Sequence, residues 1–511
     1  MKKCLTLPAV LAGSILALLS PAHGASIPAQ PVTNINTEGD SNPANIKFSN
    51  NRLYFTATDK KGNTGIYVKK LTVGQLDEND PVLDRKPKLI RNLKKTKIAN
   101  NFVRSFATNV ADKMFFHVVG EGLYTTRGTS GSTVRVLSFD STKTLEGFPF
   151  DPAVTPYFQG EDVNTMGVVF SASSKATGVE PFVSNGKPGK KNTHLVRDIN
   201  PGKNGSFPYG FCPLPSGGEP DQIFFGAFGA NFYQLYRTTD QTAANTAEIA
   251  IVSRTDSIEA NGLTFPYGIS LAGNDIVFGG GNHALDTNTD IGLFNTTDET
   301  FAYLTTAGVN PSDIVSGGTS TVAFFAGADP LNGREPWIVS GFSGAAQVHD
   351  NIAPLTASSN PYNFRTFGTD QTGGSNDINT YFLANDGTGS HLYREEGDSD
   401  SGKIVTTGGA NITVVDDFIA TIDEADSGDG IVYFIGDDGT GKTLWKVENA
   451  FGTYQATQVK TGQNAVIKNP SKLGIAINLS GATSISRLYF SCSGADTEFD
   501  GDGEELWVYQ E

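Results

Sequence analysis

Val168-Val169-Phe170-Ser171-Ala172 is followed, after a Gly-containing loop, by Glu180-Pro181-Phe182-Val183-Ser184. A turn at Asn185-Gly186 then leads to His194-Leu195-Val196-Arg197-Asp198-Ile199, which Asn200-Pro201-Gly202 ends. The runs are rich in β-branched and aromatic residues, types that suit a packed pleated surface. Strand side chains alternate faces, so Phe170 and Ala172 share one face and Val169 takes the other. Three strands joined by tight turns form a meander. The apolar patch ahead of the next Phe supplies a fourth.

This unit is one of nine. An aromatic or Val, itself preceded by an apolar residue (Thr380 in unit seven), comes before Phe55, Phe116, Phe170, Phe225, Phe278, Phe325, Phe382, Phe434 and Phe490, spaced 61, 54, 55, 53, 47, 57, 52 and 56 residues apart. Strand-like repeats of about 40–55 residues are the signature of blades set in a ring. The sequence therefore predicts an all-β chain folded as a single closed β-propeller of nine four-stranded blades, with eight as the alternative count. A second-strand aromatic recurs as Tyr67, Tyr124, Phe182, Tyr236, Phe294, Trp337, Tyr393, Trp445 and Trp507, and all three Trp of the protein fall in this register. Rings at equivalent places read as packing between neighbouring blades rather than as a ligand cage.

The two ends of the chain complement each other. The ninth unit stops at Glu511, just after Glu505-Leu506-Trp507-Val508, and lacks an outer strand. Val32-Thr33-Asn34-Ile35 with Ser41-Asn42-Pro43 matches Val196-Arg197-Asp198-Ile199 with Ser206-Phe207-Pro208, and also Val348-His349-Asp350-Asn351-Ile352 with Ser359-Asn360-Pro361. The head thus reads as the missing last strand of unit nine, and pairing the ends removes an exposed sheet edge.

Gly178-Val179-Glu180-Pro181-Phe182-Val183-Ser184-Asn185-Gly186, followed by Leu195-Val196-Arg197-Asp198-Ile199-Asn200-Pro201-Gly202, resembles the bacterial repeat read as Glu-Leu-Trp-x-x-Asp-Gly-Thr-x-x-Gly-Thr. Gly333-Arg334-Glu335-Pro336-Trp337-Ile338-Val339-Ser340 and Glu505-Leu506-Trp507-Val508 are similar, whereas Thr126-Arg127-Gly128-Thr129 departs from the pattern. The resemblance runs from about Val32 to the C-terminus and is strong in units three, six and nine. It implies an exported β-propeller and supplies no catalytic residues.

Ahead of the repeats, Lys2 and Lys3 precede an apolar run from Leu5 to Leu19 and then Pro21-Ala22-His23-Gly24. This has the order of a signal peptide, expected over residues 1–24, with residues 25–511 as one domain. The run is shorter than the roughly 20 residues a membrane span needs, so the mature protein is expected to be secreted or periplasmic, without membrane insertion, and a monomer. Net charge is −16, which argues against a nucleic-acid partner, since that affinity comes from Lys and Arg neutralising phosphates. Between Lys60 and Arg104 the balance reverses, with 12 basic and 4 acidic residues. That stretch reads as a solvated basic edge on the first blade or, alternatively, as a docking patch for an acidic glycan or the cell envelope. Cys212 and Cys492 lie in units four and nine, too far apart around a ring to bridge. Cys492 takes the small-residue position two after the repeat Phe and reads as core.

Two connections are long and acidic at alternate positions: Asp286-Thr287-Asn288-Thr289-Asp290 in unit five, and Asp496-Thr497-Glu498-Phe499-Asp500-Gly501-Asp502-Gly503-Glu504-Glu505 in unit nine. Oxygen ligands at alternate positions of a Gly-bearing loop suit Ca²⁺, which takes six to eight oxygens. The candidate ligands are Asp496, Glu498, Asp500, Asp502 and Glu504, with Asp286, Asn288 and Asp290 as a weaker set. A solvated acidic loop is the alternative. Asp386-Gly387 and Asp438-Gly439 read as hairpin turns. His117, His194, His283, His349 and His391 lie in five different units without paired ligand spacing. His194 and His349 are placed on outer strands, where exposed polar residues are expected. No nucleophile elbow or phosphate-binding loop is present, so catalytic residues stay unassigned. The function read from the sequence is a propeller binding module for a protein or glycan, with calcium stiffening its loops. An exported enzyme acting on polysaccharide or another polymer at the channel, and a structural surface or matrix component, are the alternatives.

Overall fold

The computed structural model describes residues 27–510 apart from 34, 37–38, 72–85, 95, 99–101, 106–112, 139–154, 159–165, 190, 217–218, 230–232, 239–248, 252–262, 273–274, 283–288, 305–308, 317–321, 341–345, 355, 368–378, 397–401, 422–430, 448–454, 477–486 and 494–503. The expected leader over residues 1–24 lies outside the described residues. Nine antiparallel sheets follow one another around a ring, a nine-bladed β-propeller. Among the described residues the one helical element is a short 3-10 turn at Ser130–Ser132, and no helix is long and apolar enough to cross a membrane.

Blade one shows the common plan. Ala44–Ser49 is innermost, followed outward by Arg52–Thr58, Thr64–Lys70 and Lys88–Lys94. The second strand is buried on both faces: Phe55 packs with residues of blade nine and Tyr54 with residues of blade two. The repeat Phe faces the preceding blade and the residue before it faces the following one, as in blade three, where Phe170 and Ala172 join blade two and Val169 joins blade four. Period-two alternation thus becomes inter-blade packing.

The apolar core falls into nine clusters, and each joins two adjacent blades. An open row of nine blades would have eight interfaces. The ninth cluster puts Val32, Ala476, Tyr489, Leu506 and Val508 against Leu53, Phe55 and Tyr67, which closes the ring.

The closing strand is Ile27–Thr33, longer and earlier than Val32–Ile35, and it pairs antiparallel with Glu505–Gln510. The register sets Pro31 opposite Trp507 and Thr33 opposite Leu506. Pro28 and Pro31 are tolerated because this is an outermost strand, where a missing N–H costs no ladder bond on the outer side.

One expectation needs correction. Eight sheets have four strands, but the eighth blade has five: Val405–Thr406 adds in parallel to Gln455–Gln458 outside the plan. In unit five the repeat Phe does not meet the second-strand aromatic. Phe278 lies opposite Gly292 and Phe294 lies opposite Ile276. The ring occupies the space a side chain at 292 would need, since a Cβ there would sit 2.6 Å from Phe278 Cζ. In the other eight blades the two aromatics are directly opposed, for example Phe55 with Tyr67 and Phe490 with Trp507.

Candidate functional site

Antiparallel order puts the second-to-third-strand hairpins and the entries to the inner strands at one end of the ring. The first-to-second and third-to-fourth turns fall at the other. Several inner strands begin with the same backbone device: Asn360-Pro361-Tyr362-Asn363 has Asn360 and Asn363 at φ 46° and 57°, and Asn42 with Asn45, Asn310 with Asp313, and Asn469 with Lys472 repeat it. Left-handed residues of this kind are tolerated best as Asn, Asp or Gly. Each is followed by a register shift, such as that between Tyr362 and Arg365. A bulge re-aims side chains, here on the strands that line the central channel.

In blades seven and eight these bulges bring polar groups together. Arg365, on Tyr362–Phe367, donates from Nη2 to Asp417 Oδ1 at 2.7 Å and from Nη1 to the Phe418 carbonyl, and its guanidinium lies 4.9 Å above the Phe418 ring. Asn363 Nδ2 donates to the same Asp417 oxygen at 3.1 Å, and Arg365 Nε donates to Asn363 Oδ1 at 3.2 Å. Asp417 follows Asp416, whose carboxylate is 3.6 Å from Lys442 Nζ, within the bulge between Val414 and Phe418. Arg365 and Asp417 remain partly open, with side chains 33% and 50% exposed.

Tyr362, next to Asn363 in the chain, is 45% exposed, its hydroxyl 3.1 Å from Ser390 Oγ at the start of the third strand of the same blade. Its exposure has a local cause. The equivalent Tyr209 of blade four is buried, because Gly226 opposite leaves a slot in which a Cβ would be only 2.6 Å from the ring. In blade seven Leu383 stands opposite Tyr362 and fills that slot. An open aromatic ring can stack on an apolar face, and amide, guanidinium and carboxylate groups exchange directional hydrogen bonds. None of Tyr362, Asn363, Arg365, Asp416 and Asp417 was singled out from the sequence. The available signal was the Asn-Pro-Tyr-Asn string and the Asp-Asp pair preceding a core Phe.

A second constellation recurs in blades three, six and nine, at the Glu of the Glu-Pro-Phe, Glu-Pro-Trp and Glu-Leu-Trp strings. Glu180 accepts from Ser206 Oγ at 2.5 Å and from the backbone N–H of Ile199 and Asn200. Glu335 accepts from Ser359 Oγ at 2.6 Å and from the N–H of Ile352, Ala353 and Ser359. Glu505 accepts from Ser41 Oγ at 2.7 Å and from the N–H of Ile35. The carboxylates are buried and fasten the link to the next blade. Burial pushes Glu180 up to about 7 and raises Glu335, each against the pull of its own hydrogen bonds. These groups are structural fasteners.

Of the calcium candidates, Asp496, Glu498, Asp500, Asp502, Asp286 and Asn288 lie outside the described residues, as does His283. The backbone of Asp290 pairs with Gly280 in the blade-five ladder. Glu504 Oε1 accepts from Ser471 Oγ at 2.6 Å and Ser491 Oγ at 2.7 Å, and its backbone N–H donates to Asp40 Oδ1. Among the described residues no group of three or more His, Cys, Asp or Glu is arranged to hold a metal. Asp386-Gly387 and Asp438-Gly439 are hairpin turns, each Asp capping the Thr two residues on. Lys403, Thr388 and His391 together hold the Asp386 carboxyl well below the usual range despite partial burial.

Three of the described histidines have side chains largely shielded from solvent. His391 Nδ1 is 2.8 Å from the Ile412 carbonyl and Nε2 is 2.9 Å from Thr388 Oγ1. His349 is not the exposed polar residue expected: it is buried against Glu395 of blade seven, edge-on to Phe324. Burial alone lowers His117 to about 4. Cys212 and Cys492 form no disulfide and are buried, and Cys492 donates to the Lys468 carbonyl. The basic stretch after Lys60 forms an edge: Lys88, Lys94 and Lys97 are exposed on or just beyond the outer strand of blade one, while Arg91 turns to Glu121 and Tyr124 of blade two.

No family model and no curated protein matches the sequence. Among solved structures the chain is similar to a prolyl endopeptidase (11% identity, 92% of this chain and 56% of that one, TM-score 0.39). It is also similar to TolB from Acinetobacter baumannii (9%, 73% and 80%, TM-score 0.30) and to the β-propeller domain of the trilobed protease from Pyrococcus furiosus (8%, 71% and 97%, TM-score 0.34). The chain spans a little over half the length of the endopeptidase. At these identities and scores the likeness is one of propeller architecture and carries no chemistry.

Proposed function

We propose that this protein is an exported, secreted or periplasmic binding module, a monomer that holds a protein or glycan at the channel wall of blades seven and eight. The observation that carries this reading is the partly open Asn363–Arg365–Asp417 network, with the exposed Tyr362 on the same inner strand. Convergent polar groups around an apolar platform are the usual composition of a recognition site, and the bulged inner strands hold them on a rigid scaffold. Calcium bound in the Asp496–Glu504 connection stiffens the link between the two strands it joins. The leader at residues 1–24 directs export.

The test is retention on arrays of neutral glycans and of peptides, read against Tyr362→Ala and Asp417→Ala, with product analysis to detect cleavage. The reading expects a ligand retained by wild type and lost in both variants while thermal unfolding is nearly unchanged. Retention that both variants leave intact overturns this site. Turnover of a retained polymer replaces the binding reading with an enzymatic one.

A further inference from the structure

The opposite end of the ring carries a second feature. Lys113 begins the second strand of blade two, Arg127 follows its third, and Lys187 lies in the outer turn of blade three. Arg127 and Lys187 are exposed; Lys113 is half-buried and donates from Nζ to the Asn185 carbonyl at 2.5 Å. Its neighbour Gly186 has φ 77°, and a Cβ there would lie 2.8 Å from both Lys113 Cδ and Phe115 Cζ, so the floor beside the ammonium is bare backbone. Arg52 of blade one packs over Gly128, where a Cβ would sit 2.5 Å from Arg52 Cδ, and Lys70 stands opposite Arg52 across the ladder.

These cations form an arc over three adjacent blades. Among the described residues no carboxylate comes within ion-pair distance of Arg52, Lys113, Arg127 or Lys187. Like charges gathered together repel, and an anion placed among them lowers that cost. Lys113 responds to this setting: burial first, and then Arg127 and Lys187, lower its ammonium to about 8. All this occurs on a chain of net charge −16, so the arc is a local exception to the overall field.

We propose that the arc from Lys70 and Arg52 through Arg127 and Lys113 to Lys187 is a binding surface for an anionic polysaccharide, one bearing carboxylate or sulfate groups. A nucleic acid carries a charge every 1.7 Å or so along a duplex, denser than these few cations can match, on a chain whose net charge is −16. A polysaccharide with sparser acidic groups can seat them on the cations alone. The site is distinct from the channel wall of blades seven and eight and is independent of it.

The test uses the full chain with polygalacturonate and dextran sulfate as probes, neutral dextran as the uncharged control and single-stranded DNA as the competing polyanion. Wild type is expected to bind at least one acidic polysaccharide in a salt-sensitive way and to ignore neutral dextran. Arg127→Glu/Lys187→Glu, both exposed, is expected to weaken binding at least tenfold with unchanged thermal unfolding. Tyr362→Ala is expected to bind these probes like wild type. Undiminished binding by the charge-reversed variant overturns the proposal. So does the absence of any acidic-polysaccharide binding at low salt, or tighter binding of DNA than of either polysaccharide.

Discussion

Ser41 Oγ and Glu505 Oε2, 464 positions apart in the chain, form a buried hydrogen bond of 2.7 Å. The same bond joins Ser206 to Glu180 and Ser359 to Glu335 inside the ring. The backbone repeats as well: the carbonyls of Ser41, Ser206 and Ser359 accept from Thr58, Phe228 and Asn385 at the end of the next blade's second strand. Head and tail are therefore closed by the fastener that links ordinary neighbouring blades. Leaving a buried polar group unsatisfied costs about 1–3 kcal/mol. Ser41→Ala and Ser206→Ala are expected to lower stability by about that much each, but only Ser41→Ala should release the head strand. Limited proteolysis distinguishes them; early cleavage between Thr33 and Ser41 in both variants, or in neither, counts against closure by this bond.

Glu180 gives the fold a pH dependence. Its folded value of about 7 lies above the ordinary 4.5 because burial outweighs its hydrogen bonds, and Glu335 is raised in the same direction. A raised value means the folded state keeps a proton that the unfolded chain has released. The contribution of these groups is complete below the unfolded carboxyl value and is lost as pH rises through about 7. Each contributes a slope of at most about 1.4 kcal/mol per pH unit in that window. Denaturant unfolding from pH 4.5 to 7.5 should show stability falling from these carboxyls, and Glu180→Gln should flatten the fall. An unchanged slope in the variant means the carboxyl is already ionised in the fold.

Gly226 makes the slot that Tyr209 fills. A Cβ there would be 2.6 Å from the ring, and overpacking of this kind costs about 1–3 kcal/mol. Gly226→Ala is expected to destabilise the protein by that amount and to expose the Tyr209 ring, read as a change in tyrosine fluorescence. Wild-type stability would show that the ring moves aside freely.

Calcium in the blade-nine connection has a direct thermal readout. A ligand at 100 times its Kd adds about 2.7 kcal/mol to the folded state. Wild type should unfold at higher temperature with millimolar Ca²⁺ than with chelator, and Asp500→Ala/Asp502→Ala should lose the difference. The absence of any shift in wild type ends the calcium proposal.

The sequence by itself determined the repeat and the partner of the last blade, because an apolar period tied to strand geometry is local and recurs in the chain, while the choice of nine blades over eight came from the structure. Phe170 with Ala172 against Val169 could be assigned to faces from alternation alone. It could not place Phe278 opposite Gly292, since register depends on which side chain leaves room for a ring. Nor could it tell that Val405–Thr406 joins the neighbouring sheet. The channel site was illegible for a related reason. Tyr209 and Tyr362 sit in near-identical strings, and one is buried while the other is open only because Gly226 in one blade and Leu383 in the other face them across the ladder. Arg365 and Asp417 meet across a blade boundary, and a cross-blade contact of that kind exists only once neighbouring blades have packed together.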